Sequence, residues 1–325
     1  KDYTPKNWAD YKRVLTQLNK PDQNRYATAT YAGTGYDCIA YSAYFGAPNV
    51  WRLDSSGKLT RAYETPEFKA TVAALLDLNK AGVMSPNGLN YNLNSRRADF
   101  AAGRLVILPE GFGNPWNDFW NQGLTQNPPN TFHPIAPFAA TDGGKPQHFL
   151  STGNLGGNVL KKASPERIKE LLRVMDFLAV PFGSQEDLLL TAGIAGVDYN
   201  LDANGNPKPI GNNLNLDANY VNWKYIVQHP QVMYNPTIPG YAKAEYDAEH
   251  LAIPVGISDP TLGFFSPTNS SKNAAINQAF LDGVQEIVAG HGRTMNDYDQ
   301  LVKDWQTNGG EQIRKEYMDA IAAAK

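Results

Sequence analysis

Two carboxylates, Glu110 and Asp118, stand on either side of one glycine-containing turn in this 325-residue chain. Paired carboxyl groups flanking a glycosidic bond can cleave it, one as acid and the other as nucleophile or base. That chemistry needs a fixed separation, and the turn Gly111-Phe112-Gly113 fixes none; no other motif supports catalysis. The same stretch, Arg104 to Trp120, offers a second kind of chemistry. Leu105 to Leu108 is an apolar run of strand length, two glycines break it, and Asn114-Pro115 opens a helix carrying Trp116, Phe119 and Trp120. In open α/β sheets, ligands collect where the carboxyl end of a strand meets the following loop and helix. Flat aromatic faces there would hold an amphipathic small molecule such as a sugar. The expectation is therefore a binding protein and not an enzyme. The alternatives are a secreted glycan-processing enzyme and a surface module without a small-molecule ligand.

The elements that must position these residues show their boundaries clearly. Thr65-Pro66-Glu67 and Ser164-Pro165-Glu166 each combine a hydroxyl N-cap, proline at the first helical position and an acid in the first turn. The first helix carries Phe68, Val72, Leu75 and Leu76 on one face and ends near Gly82; the second carries Ile168, Leu171, Leu172, Met175 and Leu178. A β-hairpin is expected for Val50 to Leu53 and Lys58 to Thr60 around Asp54 to Gly57, with a similar turn at Asp202 to Asn206. Helices close the chain at Ala274 to Ala289, Asp297 to Thr307 and Glu311 to Ala323, while Gly183 to Gly256 is weakly periodic and rich in Asn, Pro and Tyr.

Composition excludes several classes. Twenty-nine Lys and Arg against 32 Asp and Glu, without a basic run, argue against nucleic acid and anionic membranes as partners. No apolar segment reaches the ~18 residues a membrane span needs. The five histidines lie far apart, and no metal constellation or cofactor motif is visible. Asp202, Asn204 and Asn206 place oxygens at alternate positions, yet no acid closes the loop, so a plain turn is expected. Cys38, the single cysteine, sits in the mostly apolar stretch Tyr36 to Phe45 and reads as a buried, inert thiol.

Several segments, taken in order, resemble a known family. They are Pro5-Lys6-Asn7-Trp8-Ala9-Asp10-Tyr11, Phe45-Gly46-Ala47-Pro48-Asn49, Tyr63 to Phe68, Ala98-Asp99-Phe100-Ala101-Ala102-Gly103-Arg104, Gly193 to Tyr199, and Val302-Lys303-Asp304-Trp305 with Gly309-Gly310. Their order and spacing resemble the extracellular solute-binding proteins of family 1, the substrate receptors of ABC importers, near the alginate-oligosaccharide-binding and LplA-type branch. The resemblance implies an α/β, type II periplasmic-binding-protein-like fold of two hinged lobes with a carbohydrate or oligosaccharide in the cleft. It also implies delivery to ABC permease subunits by a monomer that works outside the cell on a lipid anchor, or in the periplasm. Residues 1–149 and 258–325 would form the C-terminal lobe, nearly complete, and 150–257 the remaining part of the N-terminal lobe. Such proteins begin with a βαβ-rich segment of roughly 100–150 residues ahead of the Trp8 helix. The chain starts at Lys1 without it, so a fragment of a longer protein is expected, and the Ile168-to-Leu178 stripe would lack its sheet. The segment Asn19 to Arg25 has one carboxylate and two cations, so the calcium loop of the alginate-binding relatives is not carried over.

By the same resemblance, Gly113-Asn114-Pro115-Trp116 matches a turn that presents a tryptophan to the sugar face. That makes Trp116 the first ligand residue, with Trp120 one turn on and Asn114 as either a hydroxyl partner or a helix cap. Tyr36, at a helix start after Gly33-Thr34-Gly35, and Phe265 would add aromatics from the same lobe. Tyr199 and Trp223 would come from the opposing wall, and Asn154 from the crossing segment. An acidic sugar would need a cation; Arg52, Arg96 and Arg97 are the candidates, but Arg96 and Arg97 precede a helix and are expected to face solvent, so a uronic-acid ligand is not expected.

Overall fold

A computed structural model describes residues 3–30, 36–111, 119, 122–123, 125–126, 132–153, 157–211, 226–227, 232–234 and 240–324. The chain divides into two compact units, Lys1–Gly153 with Lys243–Lys325, and Asn154–Ala242. The sequence reading places the breaks at 149/150 and 257/258; the second break in the structure falls earlier, in the first turn of a helix at Tyr241–Ala252.

In the larger unit, α1 (Trp8–Leu18) is capped by Asn7, whose side chain accepts from the Asp10 amide. The short helix α2 is Tyr36–Ser42. Strands β1 (Trp51–Leu53) and β2 (Leu59–Arg61) form the expected antiparallel hairpin, with Trp51 opposite Arg61. Helix α3 (Pro66–Lys80) begins at the expected cap, Thr65 Oγ1 accepting from the Phe68 amide, and α4 is Leu93–Ala101. Strand β3 (His148–Phe149) pairs in parallel with Gly256–Ile257. Asn49 ties that pair down: its Nδ2 donates to both Leu150 O and Ile257 O at 2.8 Å. Its neighbour Val50 has φ +62°, a region that costs a β-branched residue on the order of 1–3 kcal/mol and persists only where the surroundings over-determine it.

The smaller unit contains α5 (Pro165–Leu178), α6 (Gln185–Ala192) and the antiparallel hairpin β4 (Tyr199–Leu201) and β5 (Pro207–Pro209). On α5 the apolar stripe is poorly covered: Leu178 is buried, Ile168, Leu171 and Met175 are half-buried, and Leu172 is exposed. The hairpin turn is held by its own side chains. Asp202 Oδ1 accepts from the amides of Asn204 and Asn206 at 2.8 and 2.9 Å, and Asn206 Oδ1 accepts from Tyr234 Oη. Strand β6 is Gly256–Ile257, preceded by α7 (Tyr241–Ala252).

The chain ends with α8 (Pro267–Ala289), α9 (Tyr298–Trp305) and α10 (Glu311–Ala323). The start of α8 lies seven residues ahead of the expected Ala274 because Ser266 and Pro267 begin the helix and Glu316 of α10 supports it. The Glu316 carboxylate accepts from Ser266 Oγ, the Thr268 amide and Thr268 Oγ1 at 2.5 to 3.0 Å, and the hydrogen bond from Ser266 is the largest influence holding its pKa down at about 2. The main core lies where α3 meets α8 and α9: Phe68, Val72 and Leu75 pack with Phe280, Val284 and Leu301, and the Tyr63 and Phe280 rings stack at 4.0 Å. Each such side chain contributes about 1.5–3 kcal/mol on burial. Cys38 is in this core, and burial pushes its thiol pKa up, in line with the inert-thiol reading.

Candidate functional site

The run Leu105 to Leu108 is extended but less regular than the expected strand. It makes one parallel bridge, Tyr26 to Leu105, and its amides at Val106 and Ile107 donate to Tyr26 O and Ala27 O. Beyond Leu108 the chain continues through Pro109 and Glu110 into the wall of a cavity of about 190 Å³ in the larger unit. One side of the cavity is aromatic, with Phe100 of α4 packed against Phe119 and Phe132 at ring distances of 4.9 Å each. Tyr44 stacks on Phe138 at 4.3 Å, and the Tyr11 and Tyr41 hydroxyls lie 3.0 Å apart beneath it. Burial raises the pKa of both phenols, that of Tyr41 to about 12, so both stay neutral donors. His133 and His148 supply further polar edges, and α7 closes the far side with Ala248 and Ala252.

Behind Glu110 lies a charge cluster in which acids and cations balance. Arg96 is wholly buried; its Nη1 donates to Asp37 Oδ1 at 2.7 Å and its Nη2 to Pro109 O at 3.2 Å. Glu110 Oε2 accepts from Arg97 Nε at 3.0 Å and lies 3.9 Å from Arg96 Nη2, and Glu110 Oε1 accepts from the Gly111 amide at 3.2 Å. The expectation that Arg96 and Arg97 face solvent is therefore corrected. Both lie within α4 and not ahead of it, and their partners Asp37 and Glu110 turn them inward. Arg52 is held by Glu67 at 2.9 Å and by Gly46 O.

Of the other anticipated ligand residues, Asn114, Trp116, Trp120, Asn154 and Trp223 lie outside the described residues. Tyr36 is the first residue of α2. Tyr199 begins β4 and is buried in the smaller unit, and Phe265, just ahead of α8, is 68% exposed. Residues 108–111 and Phe119 bring the opening sequence stretch to the cavity. Tyr44, Phe132, His133 and His148 arrive by long-range folding that no local pattern announces. Among the described residues, no group of His, Cys, Asp and Glu is arranged to hold a metal ion, and no helix is long and apolar enough to cross a membrane.

His148 gives the cavity a measurable pH response. Burial lowers its pKa from the ordinary 6.5, so the unfolded chain takes up this proton at higher pH than the folded one does. Its contribution to stability is neutral above about pH 6.5 and becomes destabilising as pH falls through the window below that value. In urea titrations between pH 7.5 and 5.5, wild type is expected to lose more stability than His148→Gln; equal slopes would show that this histidine is not the source.

No family model matches the chain. It is 24% identical over 296 residues to the polygalacturonan/rhamnogalacturonan-binding protein YtcQ of Bacillus subtilis (strain 168), which covers 87% of this chain and 56% of that protein. The chain thus spans about half the length of that curated relative. Among solved structures, the alginate-binding protein AlgQ2 without calcium superposes with a TM-score of 0.62 at 14% identity, over 98% of this chain and 68% of that one. An extracellular solute-binding protein from Bifidobacterium longum subsp. infantis gives 0.60 at 11% identity, over 98% and 69%. The substrate-binding protein FusA of S. pneumoniae, an EF-hand mutant in complex with fructo-nystose, gives 0.59 at 16% identity, over 99% and 70%.

Proposed function

We propose that this chain, whose α/β fold is that of the extracellular solute-binding proteins, is the substrate-binding component of an ABC importer. Its role is to capture a carbohydrate or oligosaccharide and deliver it to membrane permease subunits. The larger unit is the C-terminal lobe and the smaller unit belongs to the other lobe. The protein acts as a monomer outside the membrane, held by an N-terminal lipid on the full-length protein or free in the periplasm. The observation that carries this reading is the cavity at the end of the Leu105-to-Leu108 run, where Phe100, Phe119 and Phe132 stand beside Glu110 and two histidines. Apolar ring faces pack against sugar C–H surfaces, and the few convergent polar groups fix orientation through hydroxyl hydrogen bonds.

Trp116 is the main stacking residue in this proposal and Asn114 a hydroxyl partner, with Trp120, Tyr36, Phe265, Asn154, Tyr199 and Trp223 as further contacts. The protein is a receptor and not a glycosidase. Glu110 is held by Arg97 and the Gly111 amide, which suits a fixed acceptor better than a group that must exchange protons during turnover. Calorimetry with mono- and oligosaccharides is expected to give saturable heats, and prolonged incubation with glycans no new reducing ends. Trp116→Ala is expected to weaken binding about tenfold or more. Unchanged affinity would remove Trp116 from the site, and new reducing ends would favour the enzyme.

A further inference from the structure

We infer that the cavity in the larger unit selects an uncharged, hydroxyl-donating sugar ring and discriminates against a uronate; this rests on the carbohydrate-receptor reading above. Glu110 is the charged side chain among the described lining residues, and neither Lys nor Arg is among them. Its two arginine partners lie behind it. Arg96 is wholly buried, and Arg97 is engaged through Nε at 3.0 Å, so the ion-paired wall turns its carboxylate to the cavity. The segment that carries Glu110 has neither Lys nor Arg between Arg104 and Lys145. From the far wall, α7 contributes Ala248 and Ala252, which bring no charge to the cavity.

Hydrogen-bond capacity points the same way. Among the described residues, Glu110 Oε2 accepts a hydrogen bond from Arg97 and Oε1 one from Gly111, which leaves each with a further lone pair for a donor. A sugar hydroxyl can donate there. A ligand carboxylate cannot; it would place a second negative charge against the first in a mostly apolar space, where like charges are weakly screened. The volume of about 190 Å³ falls below the ~300–1,000 Å³ typical of larger ligand sites and suits a single ring.

The test uses the 325-residue chain and matched probes. These are gluco-, galacto- and manno-oligosaccharides, the same sugars with primary hydroxyls oxidised to carboxylates, and the methyl esters of those acids. For any backbone that binds, calorimetry at low salt is expected to show the neutral form and the ester binding at least about tenfold more tightly than the free acid. The gap is expected to narrow as salt rises, because screening weakens the repulsion. Glu110→Gln, checked for folding by thermal melting, is expected to narrow it at low salt as well. Free acids that bind as tightly as the esters, or more tightly, would overturn the inference and leave the receptor reading standing. Silence from every probe would overturn the receptor reading and the inference with it.

Discussion

Arg96→Met is expected to lower the stability of the chain by about 3–5 kcal/mol, the cost of removing one partner from a buried ion pair. Arg96 has no accessible surface and Asp37 is 4% exposed. The guanidinium does three things at once: it faces the Asp37 carboxylate at 2.7 Å, donates to Pro109 O, and stands 3.9 Å from Glu110. Methionine fills much of the volume but supplies no charge, so a buried carboxylate loses its nearest cation and cannot recover water. Arg96→Lys keeps the charge without the planar fork and is expected to fall between wild type and Arg96→Met. The informative comparison is the double variant Arg96→Met/Asp37→Leu. Replacing both members of a buried pair by apolar groups is often close to neutral, so the double variant is expected to be more stable than Arg96→Met alone. Urea denaturation measures all three. A loss below about 1 kcal/mol in Arg96→Met would mean that the pair is far better hydrated than its geometry indicates.

The same arginine shows where sequence reading reached its limit. Helix starts written in local chemistry were legible: Thr65-Pro66-Glu67 and Ser164-Pro165-Glu166 begin α3 and α5 where their side chains say they should. The β1–β2 hairpin and the bounds of α10 were equally readable, because turn residues and apolar period specify them within a few neighbours. Adjacent arginines in a polar helix read as solvated until their partners are known, and Asp37 is 59 residues away. The start of α8 was misplaced for a related reason. Residues 267–273 are poor helix formers, and the carboxylate that completes their cap comes from Glu316, 48 residues beyond Thr268. At the cavity, the local pattern marks the end of the Leu105-to-Leu108 run and the aromatic Phe119 beyond it. The opposing polar and aromatic residues, Tyr44, Phe132 and His148, become a site only through tertiary packing.

Gly309-Gly310, noticed in the sequence only as a landmark, has a physical cause in the packing of Trp305, and a pair of substitutions can isolate it. Trp305 is 2% exposed, its ring lies 5.9 Å from Trp51 and 6.0 Å from Tyr63, and its Nε1 donates to Asn277 Oδ1 at 3.2 Å. The Arg61 guanidinium sits 5.8 Å from the ring, adding a cation–π contact. The turn from α9 to α10 passes directly over this ring. Gly309 has φ +146°, and a Cβ on Gly310 would come within 2.6 Å of the indole. Trp305→Ala is expected to cost about 3–5 kcal/mol through lost burial and the cavity it leaves. Gly310→Ala is expected to cost about 1–3 kcal/mol in wild type, because a rigid ring cannot yield to the added methyl group. Once the indole is gone the methyl has room, so Gly310→Ala should be markedly less harmful in the Trp305→Ala background, with a coupling of about 0.5–3 kcal/mol in the double-mutant cycle. Equal costs in the two backgrounds would show that Gly310 is required for some reason other than the approach of the ring.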